Sequence, residues 1–190
     1  MNQEEIIQHI VVHYQHAAGL NYGEEITQLE HALQCFDLAV QEQSTPELMV
    51  AAFLHDIGHL TDATYVGAFG IPDHDVSGAA LLASWGFPEA VTAPIRGHVQ
   101  AKRYLVAMNP EYVWNLSEAS IHTLHEQGGP FTAEQCLDFQ KQKYFDDALR
   151  LRQWDDSGKV VHEMRTQLPA IVLDLVRQVL RESAQILENK

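Results

Sequence analysis

The stretch Leu54-His55-Asp56-Ile57-Gly58-His59 sets a histidine beside an aspartate at the end of an apolar run. Burying two such groups without partners costs several kcal/mol. Metal coordination resolves the cost. A neutral imidazole suits a transition metal, and a carboxylate has two oxygens, so Asp56 can bridge two metals while His55 binds one. His59 follows His55 by four residues, which puts it on the same face of a continuing helix. Further ligand candidates sit on neighbouring segments: His31 after Leu29-Glu30, His74 after a glycine-containing loop, His98 after Arg96-Gly97 and Asp155 after Trp154. Together His31, His55, Asp56, His74, His98 and Asp155 suffice for two octahedral metals sharing one carboxylate, with positions left for solvent or substrate.

The same segments carry anion binders. Lys102 lies four residues after His98 and Arg152 three before Asp155, so each cation projects beside a ligand candidate. Ser120, Thr123 and Gln127 form one polar stripe at helical spacing. Two cations, hydroxyl donors and a metal pair describe a pocket for a phosphate-like or phosphonate group. Each residue also has a plainer reading. Lys102-Arg103 is ordinarily a solvated basic pair, Ser120 and Thr123 are ordinarily helix surface, and Asp155-Asp156 is an acidic cluster. His9, His13 and His16 share one helix face without a carboxylate partner and read as a surface stripe, as do His122, His125 and His162. Trp154 reads as core, positioning Asp155 by packing.

These residues need helices to hold them. Apolar periodicity predicts helices over 3–18, 24–43, 45–57, 73–85, 87–106, 117–127, 132–140, 144–156 and 169–187, with an interruption at Pro94. Thr45-Pro46-Glu47 supplies a capping hydroxyl and a first-turn proline, and Thr132-x-x-Gln135 resembles a capping box. No segment alternates as a strand would. The expected fold is all-α: one domain over 1–190, its core at about 20–160 and its terminal helices packed on it.

Composition excludes several classes. The 190 residues carry 12 Lys+Arg against 26 Asp+Glu, a formal net charge of −14. Phosphate backbones and anionic membranes would be repelled, so neither nucleic acid nor membrane is an expected partner. No apolar run approaches the roughly 20 residues of a membrane span, and the N-terminus lacks a signal pattern. Cys35 and Cys136 lie far apart, which excludes a disulfide framework or thiolate zinc site and suits a cytoplasmic protein. Eleven histidines are the one compositional anomaly, and they point to metal or proton chemistry.

The set His31…His55-Asp56…Asp155 resembles the HD-domain superfamily of metal-dependent enzymes, usually phosphohydrolases. Longer stretches are more specific: 28–34, 54–59, 97–106, Gln127-Gly128-Gly129-Pro130 and Arg152-Gln153-Trp154-Asp155. Together they resemble the HD-domain mixed-valence diiron oxygenases that cleave organophosphonates, a likeness covering about 20–160. The resemblance implies a helical bundle around an Fe(II)/Fe(III) pair. It also implies oxygen-dependent cleavage of the C–P bond of a small 1-hydroxy-phosphonate, giving a carboxylate such as glycine plus phosphate. On this reading His31, His55, Asp56, His74, His98 and Asp155 bind iron, with Asp56 bridging. His59, Lys102, Ser120, Thr123 and Arg152 hold the phosphonate.

In the same family a lid tyrosine occupies the open iron position and a nearby glutamate receives the substrate's amine. Tyr22 and Glu24 stand for them here, with Tyr22 one residue closer to His31 than the family spacing and Glu25 a second carboxylate beside Glu24. The expected substrate is therefore 2-amino-1-hydroxyethylphosphonate or an N-methylated relative. A trimethylammonium would favour aromatic faces such as Tyr22, Tyr65, Phe69 and Tyr104. The rival is an HD phosphohydrolase acting on a nucleotide or phosphate monoester through metal-generated hydroxide; a metal-stabilised binding module is a third reading.

Overall fold

The computed structural model describes residues 1–17, 19–21, 23–61, 70–162 and 165–189, with only the backbone at Ala17 and Leu187. Among these residues nine α-helices follow in chain order: α1 (Gln3–Ala17), α2 (Gln28–Gln41), α3 (Pro46–Leu54), α4 (His74–Ser84), α5 (Glu89–Met108), α6 (Glu118–Glu126), α7 (Ala133–Gln140), α8 (Phe145–Ser157) and α9 (Ala170–Glu188). Two 3-10 turns lie between helices, Ile57–Leu60 after α3 and Pro110–Asn115 between α5 and α6. There is no strand among the described residues, and no described helix is long and apolar enough to cross a membrane.

Local chemistry sets the helix ends. The Thr45 hydroxyl accepts from the Leu48 N–H, and Pro46 opens α3 where its missing N–H costs nothing. Ser117 caps α6 in the same way, and Thr132 with Gln135 closes a reciprocal capping box on α7. Three expectations need correction. The 24–43 helix starts only at Gln28, because the Thr27 side chain accepts from Glu30 N–H and ends the preceding turn. Pro94 does not interrupt α5, which runs unbroken from Glu89 to Met108 with that proline inside it. The 45–57 helix stops at Leu54. Asp56 leaves helical geometry (φ −98°, ψ 10°), so His55 and His59 do not share one helix face.

Packing turns these elements towards one interior. α5 lies along α8, α4 and α3, while α2 packs on α3 and α8. The main core joins Ile6, Ile10 and Tyr14 of α1 to Leu29, Leu33, Phe53, Leu54, Leu151 and Trp154, and to Val172, Val176 and Val179 of α9. Trp154 is core, its Nε1–H donating to Glu42 Oε1 at 2.9 Å. Tyr104 joins a separate aromatic cluster with Phe139 and Phe145, away from the residues considered below. Tyr22, Tyr65 and Phe69 lie outside the described residues.

Candidate metal centre

Four buried histidines present their rings in the same way. His55, His74 and His98 each place Nδ1 against the carbonyl three residues earlier, on Ala52 (2.9 Å), Ile71 (3.2 Å) and Ile95 (2.6 Å). His31 reaches across to the Gly158 carbonyl at 2.8 Å. A carbonyl only accepts, so each Nδ1 carries a hydrogen, and each ring that is neutral keeps a bare lone pair on Nε2. Those Nε2 atoms face one another, His31 to His55 at 3.2 Å and His74 to His98 at 3.1 Å. Two lone pairs at that distance repel unless a cation sits between them.

Asp56 stands between the two histidine pairs. Its Oδ2 lies 3.7 Å from His31 Nε2 and 3.5 Å from His55 Nε2, while Oδ1 lies 3.4 Å from His74 Nε2 and 3.8 Å from His98 Nε2. Asp155 Oδ1 completes the first group, 3.2 Å from His31 Nε2 and 3.9 Å from His55 Nε2. The donor set is thus two imidazoles on each oxygen of one carboxylate, plus a second carboxylate on one side. Neighbouring ligands around a first-row metal stand roughly 3 Å apart when each bond is about 2.1 Å, so the set fits two metal ions. Cys35 also lies near His31 and His55. Its thiol hydrogen-bonds to the Trp154 carbonyl at 3.5 Å, and burial raises its pKa, which keeps it protonated.

Electrostatics tunes the donors. Burial alone would raise Asp56, but His55, His59 and His74 around it hold the carboxyl well below its usual range. Burial would likewise raise Asp155, and Arg152 beside it drives it down. Burial lowers His98 well below its ordinary value and pushes His74 down to about 3 and His59 down to about 4, so all three are neutral donors at neutral pH. His31 differs: burial would lower it, yet Cys35 and Asp155 favour its protonated form. Since the Cys35 thiol stays neutral, the partner that counts is Asp155, and a metal ion would take the place of the shared proton.

A small cavity of about 60 Å³ opens from these ligands, lined by His31, Asp56, His59, His74, His98 and Asp155 on one side. Its other walls are Glu24, Gln28, Lys102, Ser120, Thr123, Arg152 and Lys159. Lys102 is no solvated surface residue: 3% exposed, it donates from Nζ to Thr123 Oγ1 at 2.8 Å. Arg103 beside it turns outward to the Gly129 carbonyl. Burial and Arg152 push Lys102 down to about 7. Ser120 is buried and Thr123 half-buried. Gln127 of the expected stripe lines a neighbouring cavity with Thr123 and His74.

Arg152 departs from a simple anion binder. Nη1 meets Asp155 Oδ2 at 2.6 Å, Nε donates to Asp156 Oδ2 at 3.0 Å and Nη2 to Asp156 Oδ1. Three of five N–H donors are committed, which leaves two. His59 sits in the 3-10 turn, its ring stacked on His74 with centroids 3.8 Å apart. The Ile71 N–H donates to His59 Nδ1 at 2.8 Å, so Nε2 carries the ring hydrogen and is a donor. Glu24 reaches the cavity from the turn before α2, whereas Glu25 is exposed.

Two lining residues were not anticipated. Lys159 follows Asp155 by four, the same spacing that singled out Lys102 after His98, but the expected end of the helix at Ser157-Gly158 cut that pattern short. Gln28 has a buried amide oxygen without a hydrogen-bond partner among the described residues. Nothing in its sequence position distinguishes it from a helix-face glutamine.

Known proteins place this arrangement in context. A family model described as HD domain matches residues 29–134. The (1-hydroxy-2-(trimethylamino)ethyl)phosphonate dioxygenase (glycine-betaine-forming) of Leisingera caerulea is 43% identical over 142 residues, 72% of this chain and 71% of that protein. The hydroxymethylphosphonate dioxygenase of Gimesia maris is 43% identical over 143 residues, 73% of this chain and 71% of its own length. An uncharacterized protein of Acanthamoeba polyphaga mimivirus is 39% identical over 168 residues, 84% of this chain and 77% of its own.

Proposed function

This chain belongs to the HD-domain family, and from that premise we propose that it is a diiron phosphonate dioxygenase. It cleaves the C–P bond of a small 1-hydroxy-phosphonate oxidatively, giving a carboxylate and phosphate. The observation that carries the reading is one cavity that joins a two-sided Asp56, flanked by two histidine pairs, to a buried lysine, hydroxyls and a guanidinium. Relatives 43% identical are named as dioxygenases of two different hydroxyphosphonates, which supports oxidation over phosphohydrolysis.

His31, His55, Asp155 and Asp56 Oδ2 would hold one iron, and His74, His98 and Asp56 Oδ1 the other. When bound, the metal pair would supply oxygen activation and Lewis-acid binding of the substrate. The chain's own residues do the rest. Lys102 presents its ammonium, and Thr123 and Ser120 their hydroxyls, to the remaining phosphonate oxygens. His59, neutral and with its hydrogen on Nε2, adds a donor that costs no further buried charge. Arg152 fixes Asp155 through Oδ2 so that Oδ1 faces His31, and its charge favours the dianion. The burial of these groups excludes bulk water, which strengthens each contact. Tyr22 is the candidate lid residue, and Glu24 lines the cavity wall towards the far end of the substrate.

The test is phosphate release from a panel of 1-hydroxy-phosphonates by iron-loaded protein in air and under argon. Release in air only, with a mixed-valence signature by Mössbauer or EPR spectroscopy, is the expected result. Turnover of a phosphate monoester under argon would replace the reading with a hydrolase.

A further inference from the structure

The cavity wall beside Asp155 holds a complete ammonium site, and the chain fills it itself. Lys159 Nζ donates to Glu24 Oε1 at 2.7 Å, to Ser117 Oγ at 3.2 Å and to Ser120 Oγ at 3.2 Å. An ammonium has three N–H donors, and here all three are used. Ser117 in turn donates its hydroxyl to Glu24 Oε1 at 2.7 Å, so that oxygen accepts two hydrogen bonds from within the protein. Both partners of the ion pair are largely buried, each side chain 16% exposed, and Asp155 Oδ1 lies 3.9 Å from Nζ as a second anion. The sequence reading put an ammonium on Glu24; the fold puts one there from residue 159.

We infer that Lys159 is a specificity-determining residue: by occupying Glu24, it selects 1-hydroxy-phosphonates whose remote end carries no positive charge. This rests on the proposed function and names the substrate class within it. A cationic remote end would have to displace Lys159 from three hydrogen bonds, or sit beside it with Lys102 and Arg152 already lining the same small cavity. Like charges in a desolvated site oppose each other strongly. A hydrogen or a hydroxyl at the remote end meets neither obstacle. The Gln28 amide oxygen, buried and unpartnered among the described residues, is an acceptor that a substrate hydroxyl can satisfy.

Binding under argon to metal-loaded protein, followed by calorimetry, tests this without turnover. The ligands are hydroxymethylphosphonate, 1,2-dihydroxyethylphosphonate and 2-amino-1-hydroxyethylphosphonate. The wild type is expected to bind the two uncharged-ended compounds at least tenfold more tightly than the amine. Lys159→Met, which keeps an apolar stem and removes the charge, is expected to shift that ratio at least tenfold towards the amine. Equal or tighter binding of the amine by the wild type overturns the inference, as does an unchanged ratio in Lys159→Met. The wild-type order needs no variant, so a Lys159→Met protein that failed to fold would still leave the inference open to refutation. Absence of phosphate release in air from every compound would instead remove the proposed function, while the binding order reads Lys159 independently.

Discussion

At the scale of single residues, the centre is defined by hydrogens fixed elsewhere. Each of the four histidines gives its Nδ1 hydrogen to a backbone carbonyl, and this turns four Nε2 atoms towards the two oxygens of Asp56. Asp56 is the one residue shared by both groups, so Asp56→Ala should empty both positions together. Expected metal content falls from about two ions per chain to well under one, with activity down at least a thousandfold, the scale of losing the metal itself. Inductively coupled plasma mass spectrometry checks it, and full retention of two ions would deny Asp56 a bridging place. Lys102 makes a different prediction. Burial and Arg152 bring its ammonium down to about 7, against an ordinary 10.5. Below that pH it binds the phosphonate as a cation; above it, the charge is lost as the proton leaves. The kcat/KM profile, which reports the free enzyme, should therefore fall above about pH 7, by up to tenfold per unit. Lys102→Arg keeps its charge across the range, so its profile should lack that limb; identical profiles would exclude Lys102 from the titration.

At the scale of elements, the site depends on where helices stop. α3 ends at Leu54, and the turn through Asp56 into Ile57–Leu60 swings the carboxylate between the two histidine pairs while His59 stacks on His74. That turn packs on the start of α4 at Gly58, where an added Cβ would run into the His74 carbonyl group. Gly58→Ala should therefore part the turn from α4. The expected cost is about 1–3 kcal/mol of overpacking, or roughly 3–10 °C in Tm for a chain of this size. His74 moves with the carbonyl, so the metal shared with His98 should be lost first. Unchanged melting and an unchanged metal count would show that the close approach is tolerated. These stops also mark what the sequence made legible. Periodicity and capping residues located nearly every helix, because amphipathic stripes and Ser/Thr caps are local signals. The order of ligand-type residues pointed to the side chains that the fold brings together. What stayed hidden was set by non-local contacts: the end of α3 by the demands of Asp56, the continuity of α5 through Pro94 by its packing on α4 and α8, and Lys159 by a side chain that turns back to Glu24 across 135 residues of sequence.

At the scale of the whole molecule, the proposed ligands come from almost every layer of the fold. His31 lies on α2, His55 and Asp56 at the end of α3, His74 on α4, His98 on α5 and Asp155 on α8. No short segment holds a complete set, so metal ions held by these residues would bind the folded chain far more tightly than the unfolded one and stabilise it by mass action. At metal concentrations about a thousandfold above Kd, that contribution is about 4 kcal/mol per site, or roughly 10 °C in Tm for about 190 residues. At the centre the neutral His74 and His98 point Nε2 lone pairs at each other across 3.1 Å, a repulsion that a cation between them would relieve. Two metal ions also offset part of the −14 formal charge that the chain otherwise carries. Exhaustive chelation should therefore lower Tm by roughly 10 °C or more, and readdition of iron(II) should restore it. Asp56→Ala should melt near the chelated wild type and respond to neither treatment. A chelated wild type that melts with the untreated protein would mean that the six ligands do not gather a metal on which the fold depends.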